Sequence, residues 1–318
     1  MSEKINLKWV VAHEPLELFL RSARLFADIV AKMSDNRITV DVMTNTEWSE
    51  KFGRNKKEYW QSLEKGDGDV DMGQYTTSLI GQTYKNFSIF DMPFLFRDHN
   101  HVEKVLTGPI GETMLKHLSV ETNYRGLAFT YSGGFRMIVS KNPIKKLEDL
   151  KGLTFSCPQS DVIVETYKTI GTTAHKASHF SGDFRRHLDD CPEIDFDGSE
   201  STFVRYHTVK DYAPYITNTK HSLFLTTIVI GNNVWEKLSL DDQLLIKEAA
   251  QQAADHERDQ TIKDSEEFVK NSAKNCAGLY EFSDEDIEKF KKITSKLYER
   301  EFANSHFSPN LLKQIMNQ

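Results

Sequence analysis

Imidazole, carboxylate and thiol side chains recur about every four positions between His175 and Cys191. The full set is His175, His179, Asp183, His187 and Cys191. On one continuous helix this spacing would place the side chains on one face, and imidazole with thiolate suits zinc. Residues 176–182, however, have the composition of a loop, and Ser181 has the residue type of an N-cap for a helix at 182–190. We therefore interpret the histidines as exposed side chains, with a zinc-dependent hydrolase as the alternative.

A lone arginine, Arg136, stands between Phe135 and Met137. Its guanidinium is always charged, and the planar fork matches a carboxylate with two parallel hydrogen bonds. Burying this group without an anion would be costly. Two interpretations follow: a salt bridge to Glu200 or Glu148, or contact with an anionic or polar ligand, directly or through water.

Other motifs that would indicate chemistry are incomplete or absent. Asp67, Asp69 and Asp71 resemble the start of a calcium loop. Met72 and Ser78 stand where such a loop needs glycine and glutamate. The sequence has no nucleophile elbow, phosphate-binding loop, paired-histidine zinc motif or Cys-x-x-Cys pair. We therefore expect no metal, no cofactor and no catalytic residue.

Length and composition indicate a globular protein with two cores. The chain has 318 residues, of which 39% are hydrophobic, and single cores rarely grow beyond about 250–300 residues. A net charge of −7 without a basic stripe argues against nucleic acid or an anionic membrane as partner. No apolar run reaches transmembrane length. The cysteines Cys157, Cys191 and Cys276 are too few for a disulfide scaffold, and free thiols are favoured over a Cys157–Cys191 pair.

Strands and helices alternate from the start of the chain. Periodicity predicts a strand at 7–12, an amphipathic helix at 16–33 and strands at 38–43 and 70–75. Such alternation predicts a mostly parallel sheet, with ligands beyond the carboxyl ends of its strands. The residues at or near those ends include His13, Trp48, Gln74 and Tyr75.

The central segment predicts a strand, a turn and a strand. A β-branched run at 135–140 predicts a strand that carries Arg136. Residues 146–151 predict one helical turn closed by Gly152, because glycine is the preferred left-handed cap. A second strand is predicted at 153–157.

These motifs together resemble a known family. The central segment contains an Arg-x-x-x-Ser, then Pro-Ile, then Glu-Asp-Leu-Lys-Gly-Leu, at Arg136, Ser140, Pro143, Ile144 and 148–153. Further matches lie before this segment at 69–72 and 91–96 and after it at 196–198 and 232–238, in the order that the family has them. In this ordered set the chain resembles the extracytoplasmic solute-binding proteins of tripartite ATP-independent periplasmic (TRAP) transporters of the DctP type.

The resemblance implies an α/β, two-lobed periplasmic-binding-protein-like fold, with a sheet flanked by helices in each lobe. Lobe I would comprise 1–133 plus 226–266, and lobe II 134–225 plus 267–318. A helical pattern runs unbroken across 239–274. The corresponding long helix would span both lobes and resist free hinge bending.

The resemblance also implies an interlobe cleft and its ligand-binding residues. Carried over position by position, these are His13, Trp48, Gln74, Tyr75, Phe94, Arg136, Ser156, Phe180, Glu200 and Ser201. Where the family usually has a ligand-binding arginine this chain has Ser156, which removes the main carboxylate clamp. Either Arg136 holds a carboxylate alone, or the ligand is not a simple monocarboxylate. The neutral wall formed by Ser156 and Cys157 favours the second.

From the resemblance we expect a protein that captures a small polar or organic-acid solute and delivers it unaltered to TRAP membrane permease subunits. Proteins of this family work in the periplasm, so Met1 is expected to be an artificial start that replaces a removed leader. We expect a monomer that binds a small-molecule ligand and no nucleic acid. A ligand-sensing protein that feeds a receptor is a further alternative.

Overall fold

The computed structural model describes residues 4–12, 16–177 and 191–318. Contacts divide the chain into two compact units. The first unit comprises Met1–Thr76, Gly111–Ser132 and Thr226–Gln260, and the second comprises Thr77–Ile110, Gly133–Leu225 and Thr261–Gln318. Thr77–Ile110 thus belongs to the second unit by its contacts, and the sequence-based lobe limits stay a prediction.

Short strands and helices alternate along most of the described chain. The strands are β1 Ile5–Val11, β2 Ile38–Thr44, β3 Met72–Thr76, β4 Tyr124–Phe135, β5 Met137–Ser140, β6 Thr154–Cys157, β7 Thr173–Lys176, β8 Gly198–Ser201, β9 Tyr215–Thr217, β10 Leu223–Gly231 and β11 Gly278–Tyr280. The α-helices are Leu16–Met33, Asn45–Phe52, Tyr59–Lys65, Thr77–Thr83, His99–Thr107, Pro109–Glu121, Asp161–Thr169, Asn232–Trp235, Leu240–Lys270, Ser272–Asn275, Asp284–Thr294, Arg300–His306 and Pro309–Met316. Shorter 3-10 turns cover Lys85–Asp91, Leu147–Leu150, Phe203–Thr208 and Ser295–Tyr298.

The strands form two mixed sheets. One has the order β2-β1-β3-β10-β4. In it β1 is parallel to both β2 and β3, whereas β10 is antiparallel to β3. The other has the order β11-β9-β5-β8-β6-β7. In it β6 is parallel to β7 and β8, whereas β5 is antiparallel to β8 and β9. The local alternation predicted the parallel pairs at the start of the chain; the antiparallel strand β10 reaches the first sheet from far along the chain.

The core of the first unit begins where the amphipathic helix meets β1. The predicted helix at 16–33 is confirmed with the bounds Leu16–Met33. Its Phe26 lies with its ring centroid 5.1 Å from that of Trp9 on β1, and neither side chain is exposed. Burial of two aromatic rings therefore fixes this helix on the sheet.

The second unit has cores on both faces of its sheet. Along β5, Ile138 belongs to one buried cluster with Phe155, while Met137 and Val139 belong to another with Ile216. Successive strand residues point to opposite faces, so a strand with both faces covered is apolar throughout. This explains why the run at 137–139 carries no polar alternation.

The central segment differs from its prediction at one residue. The turn Leu147–Leu150 and the left-handed Gly152, with φ of +79°, are confirmed. The strand predicted at 135–140 is confirmed as β5 Met137–Ser140, but its predicted start is wrong, because Phe135 ends β4 and Arg136 lies in neither strand. The Arg136 N–H donates to the Ser222 carbonyl at 2.9 Å. Arg136 is therefore held at a break between two strands.

The long helix is confirmed but ends early. It spans Leu240–Lys270, and the predicted continuation to 274 is wrong because Ser272–Asn275 is a separate turn. The Asn271 side chain donates to the Glu267 carbonyl at 3.0 Å and occupies an acceptor at the helix end. None of the described helices is long and apolar enough to cross a membrane.

Candidate functional site

Arg136 lies in a buried cluster within the second unit. It sits between β4 and β5, Glu200 lies on β8 and His221 lies two residues before the start of β10. The exposed fractions of these residues are 5%, 6% and 1%. Three polar side chains with so little access to water must satisfy one another or a ligand.

The contacts in this cluster are specific. Arg136 Nη1 lies 3.3 Å from Glu200 Oε2, and His221 Nε2 lies 2.8 Å from Glu200 Oε1. The Thr219 hydroxyl lies 2.6 Å from His221 Nδ1, so that nitrogen can accept while Nε2 donates to the carboxylate. The salt bridge predicted between Arg136 and Glu200 is thus present. Glu148, its alternative partner, instead lies 3.9 Å from Lys289.

Electrostatics keep Glu200 ionised despite its burial. Burial by itself raises the pKa of this carboxyl, but the Arg136 charge and the hydrogen bonds from His221 and Tyr167 outweigh it. The net pKa of Glu200 lies below its ordinary value. Burial and the Glu200 charge raise the pKa of the Tyr167 phenol, which therefore stays a neutral donor.

A second buried arginine, Arg205, lies close to the first. The guanidinium carbons of Arg136 and Arg205 lie 4.8 and 4.9 Å from the ring centroid of Phe224. Arg205 is 8% exposed. Sequence reasoning missed it, because its position in the 3-10 turn Phe203–Thr208 brings it to Phe224 only through the tertiary fold.

Asp91 is another buried residue that sequence reasoning missed. It ends the 3-10 turn Lys85–Asp91, and its Oδ1 accepts a hydrogen bond from the Ser78 hydroxyl at 2.8 Å. Burial raises the pKa of Asp91, and the charge of Glu200 adds to this, while the Arg136 charge opposes it. The hydrogen bonds of the Ser160 and Ser78 hydroxyls to the Asp91 carboxyl also lower this pKa, but burial outweighs them.

The remaining predicted residues of the second unit are placed around this cluster. Ser156 lies on β6 with 2% exposure, and its carbonyl accepts a hydrogen bond from the Ser199 hydroxyl at 2.7 Å. The neighbouring Cys157 is a free thiol whose pKa is raised by burial. Ser201 follows Glu200 on β8 and donates to the Thr202 carbonyl at 3.4 Å. Ser156 and Cys157 are therefore buried and uncharged, and their role as a pocket wall stays a prediction.

Phe94 is held in an uncommon backbone conformation. Its φ of +59° lies in the left-handed region, which a bulky residue rarely adopts. The ring meets that of Phe290 edge-to-face at 5.1 Å and lies 5.8 Å from Lys291 Nζ. Phe94 also lines a cavity of about 1000 Å³ against the C-terminal helices. Its role as a ligand contact stays a prediction.

In the first unit, Trp48 and Tyr75 are buried aromatic residues. Trp48 is 0% exposed and donates from Nε1 to the Asp69 carbonyl at 3.2 Å. Tyr75 is also fully buried, with its ring centroid 4.2 Å from that of Trp60 and 5.9 Å from that of Tyr59. Both are placed as packing residues in this structure, and ligand contact stays a prediction.

Gln74 lies in a buried polar group, which we call the Gln74–Glu257 cluster: Gln74, Thr130, Ser132, Thr226 and Glu257. Its Nε2 lies 2.8–3.0 Å from the hydroxyls of Thr130, Ser132 and Thr226. Both oxygens of Glu257 also lie within 3.0 Å of this nitrogen. An amide nitrogen carries only two N–H groups, so it cannot donate a full hydrogen bond to each of these oxygens. The hydroxyls and the carboxyl must therefore also hydrogen-bond to one another.

The environment of the Glu257 carboxyl favours its protonated form. Burial raises its pKa, and the hydrogen bonds of Ser22, Gln74 and Ser132 together with the Arg21 charge only partly oppose the shift. The ordinary pKa of this carboxyl is 4.5. The folded state therefore keeps a proton at pH values where the unfolded chain has lost it.

Glu257→Gln should remove a pH-dependent loss of stability. Because the folded pKa is raised, the free energy of unfolding contributed by Glu257 is greatest below the unfolded pKa and falls as pH rises towards the folded pKa. The free energy of unfolding of the glutamine variant should therefore rise relative to that of the wild type as pH rises above 4.5, measured by urea unfolding. Glu248→Gln, at an exposed position on the same helix, is the control. A difference between variant and wild type that does not change with pH would contradict the prediction.

The carboxylates that resemble a calcium loop are occupied by basic side chains. Arg54 Nη1 lies 2.6 Å from Asp67 Oδ2 and 3.1 Å from Asp69 Oδ2. Asp71 lies 3.1 Å from Lys8 Nζ. Each aspartate of the run therefore forms an ion pair with a lysine or arginine.

Several predicted residues lie outside the described part of the chain. These are His13, Phe180, His179, Asp183, His187 and the helix expected at 182–190. Of the histidine and cysteine run, His175 lies on β7 with its ring 5.7 Å from that of Phe196, and Cys191 is a half-buried free thiol. Within the residues that the structure describes, no group of three histidine, cysteine, aspartate or glutamate side chains could hold a metal.

The architecture defines the class of protein. A helix-flanked mixed sheet in each of two compact units is the α/β arrangement of periplasmic-type solute-binding proteins. Solved structures agree. One is the sugar acid binding protein DctPAm of Advenella mimigardefordensis in complex with galactonate. It is 22% identical in sequence to this chain, and the two structures superpose with a TM-score of 0.85. The match covers 100% of this chain and 98% of that one. A TRAP periplasmic solute-binding protein of Polaromonas sp. JS666 bound to D-erythronate is 25% identical, with a TM-score of 0.83 and coverage of 98% of both chains.

The sequence then identifies the family. Residues 11–305 match the DctP family, described as bacterial extracellular solute-binding protein, family 7, and the chain belongs to it. The C4-dicarboxylate-binding protein DctB of Bacillus subtilis is 26% identical over 298 residues, which cover 93% of this chain and 81% of the relative. Proteins of this family are solute-binding proteins of transport systems and not enzymes. The zinc-dependent hydrolase is thereby set aside.

Proposed function

We propose that this protein captures a small organic acid or sugar acid outside the cytoplasm and delivers it to a TRAP-type membrane permease. The observation that carries the proposal is the buried guanidinium of Arg136, held by Glu200 in a chain of the DctP family. Galactonate, D-erythronate and C4-dicarboxylates, named for the similar proteins, are small anions. A buried arginine is the side chain best suited to such a carboxylate.

The contacts of Arg136 support an anion-binding role. Glu200 contacts one terminal nitrogen of the guanidinium, and the Arg136 Nε has no hydrogen-bond partner among the described residues. An arginine carries five N–H donors, so one carboxylate does not saturate it. A ligand carboxylate could therefore share Arg136 with Glu200, which would fix the orientation of the guanidinium.

Delivery would depend on a change in conformation. A ligand that binds one conformation of the protein better than another shifts the population towards it, and the permease would recognise that ligand-bound form. The protein would act as a monomer in the periplasm, with no nucleic-acid partner. No bond in the solute would be made or broken.

A thermal-shift screen over organic acids, sugar acids, amino-acid derivatives and neutral osmolytes tests the proposal. A ligand that binds only the folded form at about 100 times its Kd stabilises that form by about 2.7 kcal/mol. We expect the largest increase in Tm with one or more of the acids. A screen in which only neutral osmolytes raise the Tm would overturn the assignment to acids.

Arg136→Lys should weaken binding of the best acid at least about tenfold, because lysine keeps the charge but loses the planar fork. Isothermal titration calorimetry measures the change directly. Arg54→Lys is the matched control, since Arg54 is also paired with carboxylates but lies at the surface of the first unit. Equal affinities of the wild type and Arg136→Lys would remove Arg136 from the binding site.

A further inference from the structure

The largest described cavity of the second unit lies against the C-terminal helices. Its volume is about 1000 Å³, and its lining comes from Pro93, Phe94 and the segment at 291–316. Sites for small molecules are typically cavities of roughly 300–1,000 Å³ with a mainly apolar lining and a few polar groups. The cavity therefore has the size of a ligand site.

One part of the lining is apolar. It includes Phe94, Leu312 and Met316. Met316 is 49% exposed, so this large apolar side chain leaves much of its surface in contact with water. An alkyl or aryl group in the cavity would cover that surface, and removal of apolar surface from water favours binding.

Hydrogen bonds fix the segments that line the cavity. The helix Pro309–Met316 is held by His101, whose Nε2 donates to the Ile315 carbonyl at 2.9 Å. The Tyr298 hydroxyl donates to the Pro93 carbonyl at 2.6 Å and joins two segments of the lining. The cavity is thus formed before a ligand enters, and a preformed site loses less conformational entropy on binding.

The charged side chains of the described lining are two lysines. Lys291 Nζ lies 5.8 Å from the ring centroid of Phe94, and Lys313 lies on the last helix. Lys291 also pairs with Glu288 at 2.7 Å, but the Glu288 side chain is 70% exposed, so the pair is weak. No aspartate or glutamate occurs among the described residues that line the cavity. The charges therefore favour an anion.

We propose that this cavity is a second binding site, which takes an amphipathic monocarboxylate. The carboxylate would pair with Lys291 and Lys313, and its alkyl or aryl chain would pack on Phe94, Leu312 and Met316. A sugar acid would place hydroxyl groups against this apolar wall without partners, which is unfavourable. The site is separate from Arg136, so the inference does not depend on the proposed function.

Titration calorimetry with octanoate, 1-octanol and octylamine tests the inference. The three probes share one alkyl chain and differ in the charge of the head group. Octanoate should bind at least about tenfold more tightly than either of the others, because it alone combines the chain with a negative charge. No binding of octanoate, or equal binding of 1-octanol or octylamine, would overturn the inference.

Lys291→Glu combined with Lys313→Glu should weaken octanoate binding at least about tenfold and leave 1-octanol binding unchanged. Lys292→Glu combined with Lys296→Glu is the matched control. It changes the net charge by the same amount at two exposed lysines that do not line the cavity. Equal loss of octanoate binding in the two double variants would contradict a role for the cavity lysines.

Met316→Asp tests the apolar wall, because it places a carboxylate where the chain of octanoate would pack. The position is exposed, so we expect the variant to fold and to bind octanoate at least about tenfold more weakly. Arg136→Lys should leave octanoate binding unchanged. Wild-type affinity in Met316→Asp, or a loss of affinity in Arg136→Lys, would place octanoate elsewhere and overturn the inference, while the proposed function would stand.

Discussion

Glu200→Ala should lower the free energy of unfolding by about 3–5 kcal/mol, because it leaves the Arg136 guanidinium buried without its carboxylate. The Glu200 side chain is 1% exposed and the Arg136 side chain 5%, so water cannot replace the lost partner. His221 would also lose the acceptor that lies 2.8 Å from its Nε2. Urea unfolding followed by circular dichroism measures the loss.

The loss at Glu200 should depend on pH. The pKa of Glu200 is lowered in the folded state from an ordinary value of 4.5, so its stabilising contribution is present above that value and is lost as pH falls through the folded pKa. The difference between wild type and Glu200→Ala should therefore shrink in acid. A constant difference between about pH 3 and pH 7 would contradict an ionised Glu200.

Two further variants test whether the loss of stability comes from the buried, unpaired charge of Arg136. Glu148→Ala removes an exposed carboxylate 3.9 Å from Lys289 and should change stability by less than about 1 kcal/mol. Arg136→Met combined with Glu200→Leu replaces both buried charges and should recover much of the stability lost in Glu200→Ala. A double variant as unstable as Glu200→Ala would show that the cost does not come from an uncompensated charge.

Tyr75→Ala should lower the free energy of unfolding by about 3–5 kcal/mol, because it empties the centre of an aromatic cluster. The Tyr75 ring is fully buried against Trp60 and Tyr59, and Trp60 also packs on Tyr124 with ring centroids 5.0 Å apart. Thermal and urea unfolding both report this change.

Tyr75→Phe distinguishes packing from ligand contact. The Tyr75 hydroxyl has no hydrogen-bond partner among the described residues, so its removal should leave stability unchanged or raise it by about 1 kcal/mol. If Tyr75 only packs, ligand affinity should also stay unchanged. A loss of affinity of about tenfold or more without a loss of stability would establish Tyr75 as a ligand contact.

Local patterns in the sequence determined much of the fold. The amphipathic helix Leu16–Met33 follows from apolar residues at helical spacing. The turn that ends at Gly152 follows from the ability of glycine to adopt a positive φ. The long helix Leu240–Lys270 follows from more than thirty residues without a breaker. The ordered motifs also indicated the family, since their order along the chain reflects the order of elements in one fold.

Only the tertiary structure decided what surrounds the polar residues. Arg136 and Glu200 are 64 positions apart in the chain, and their pairing depends on β5 lying beside β8. Arg205 reaches this neighbourhood through a 3-10 turn whose residue types predict no function. Hydrophobic periodicity is a local property, whereas the cost of burying a charge depends on partners that folding brings together from distant positions. The sequence therefore determined the elements and the family, and the tertiary structure decided which charged groups are buried and with which partners.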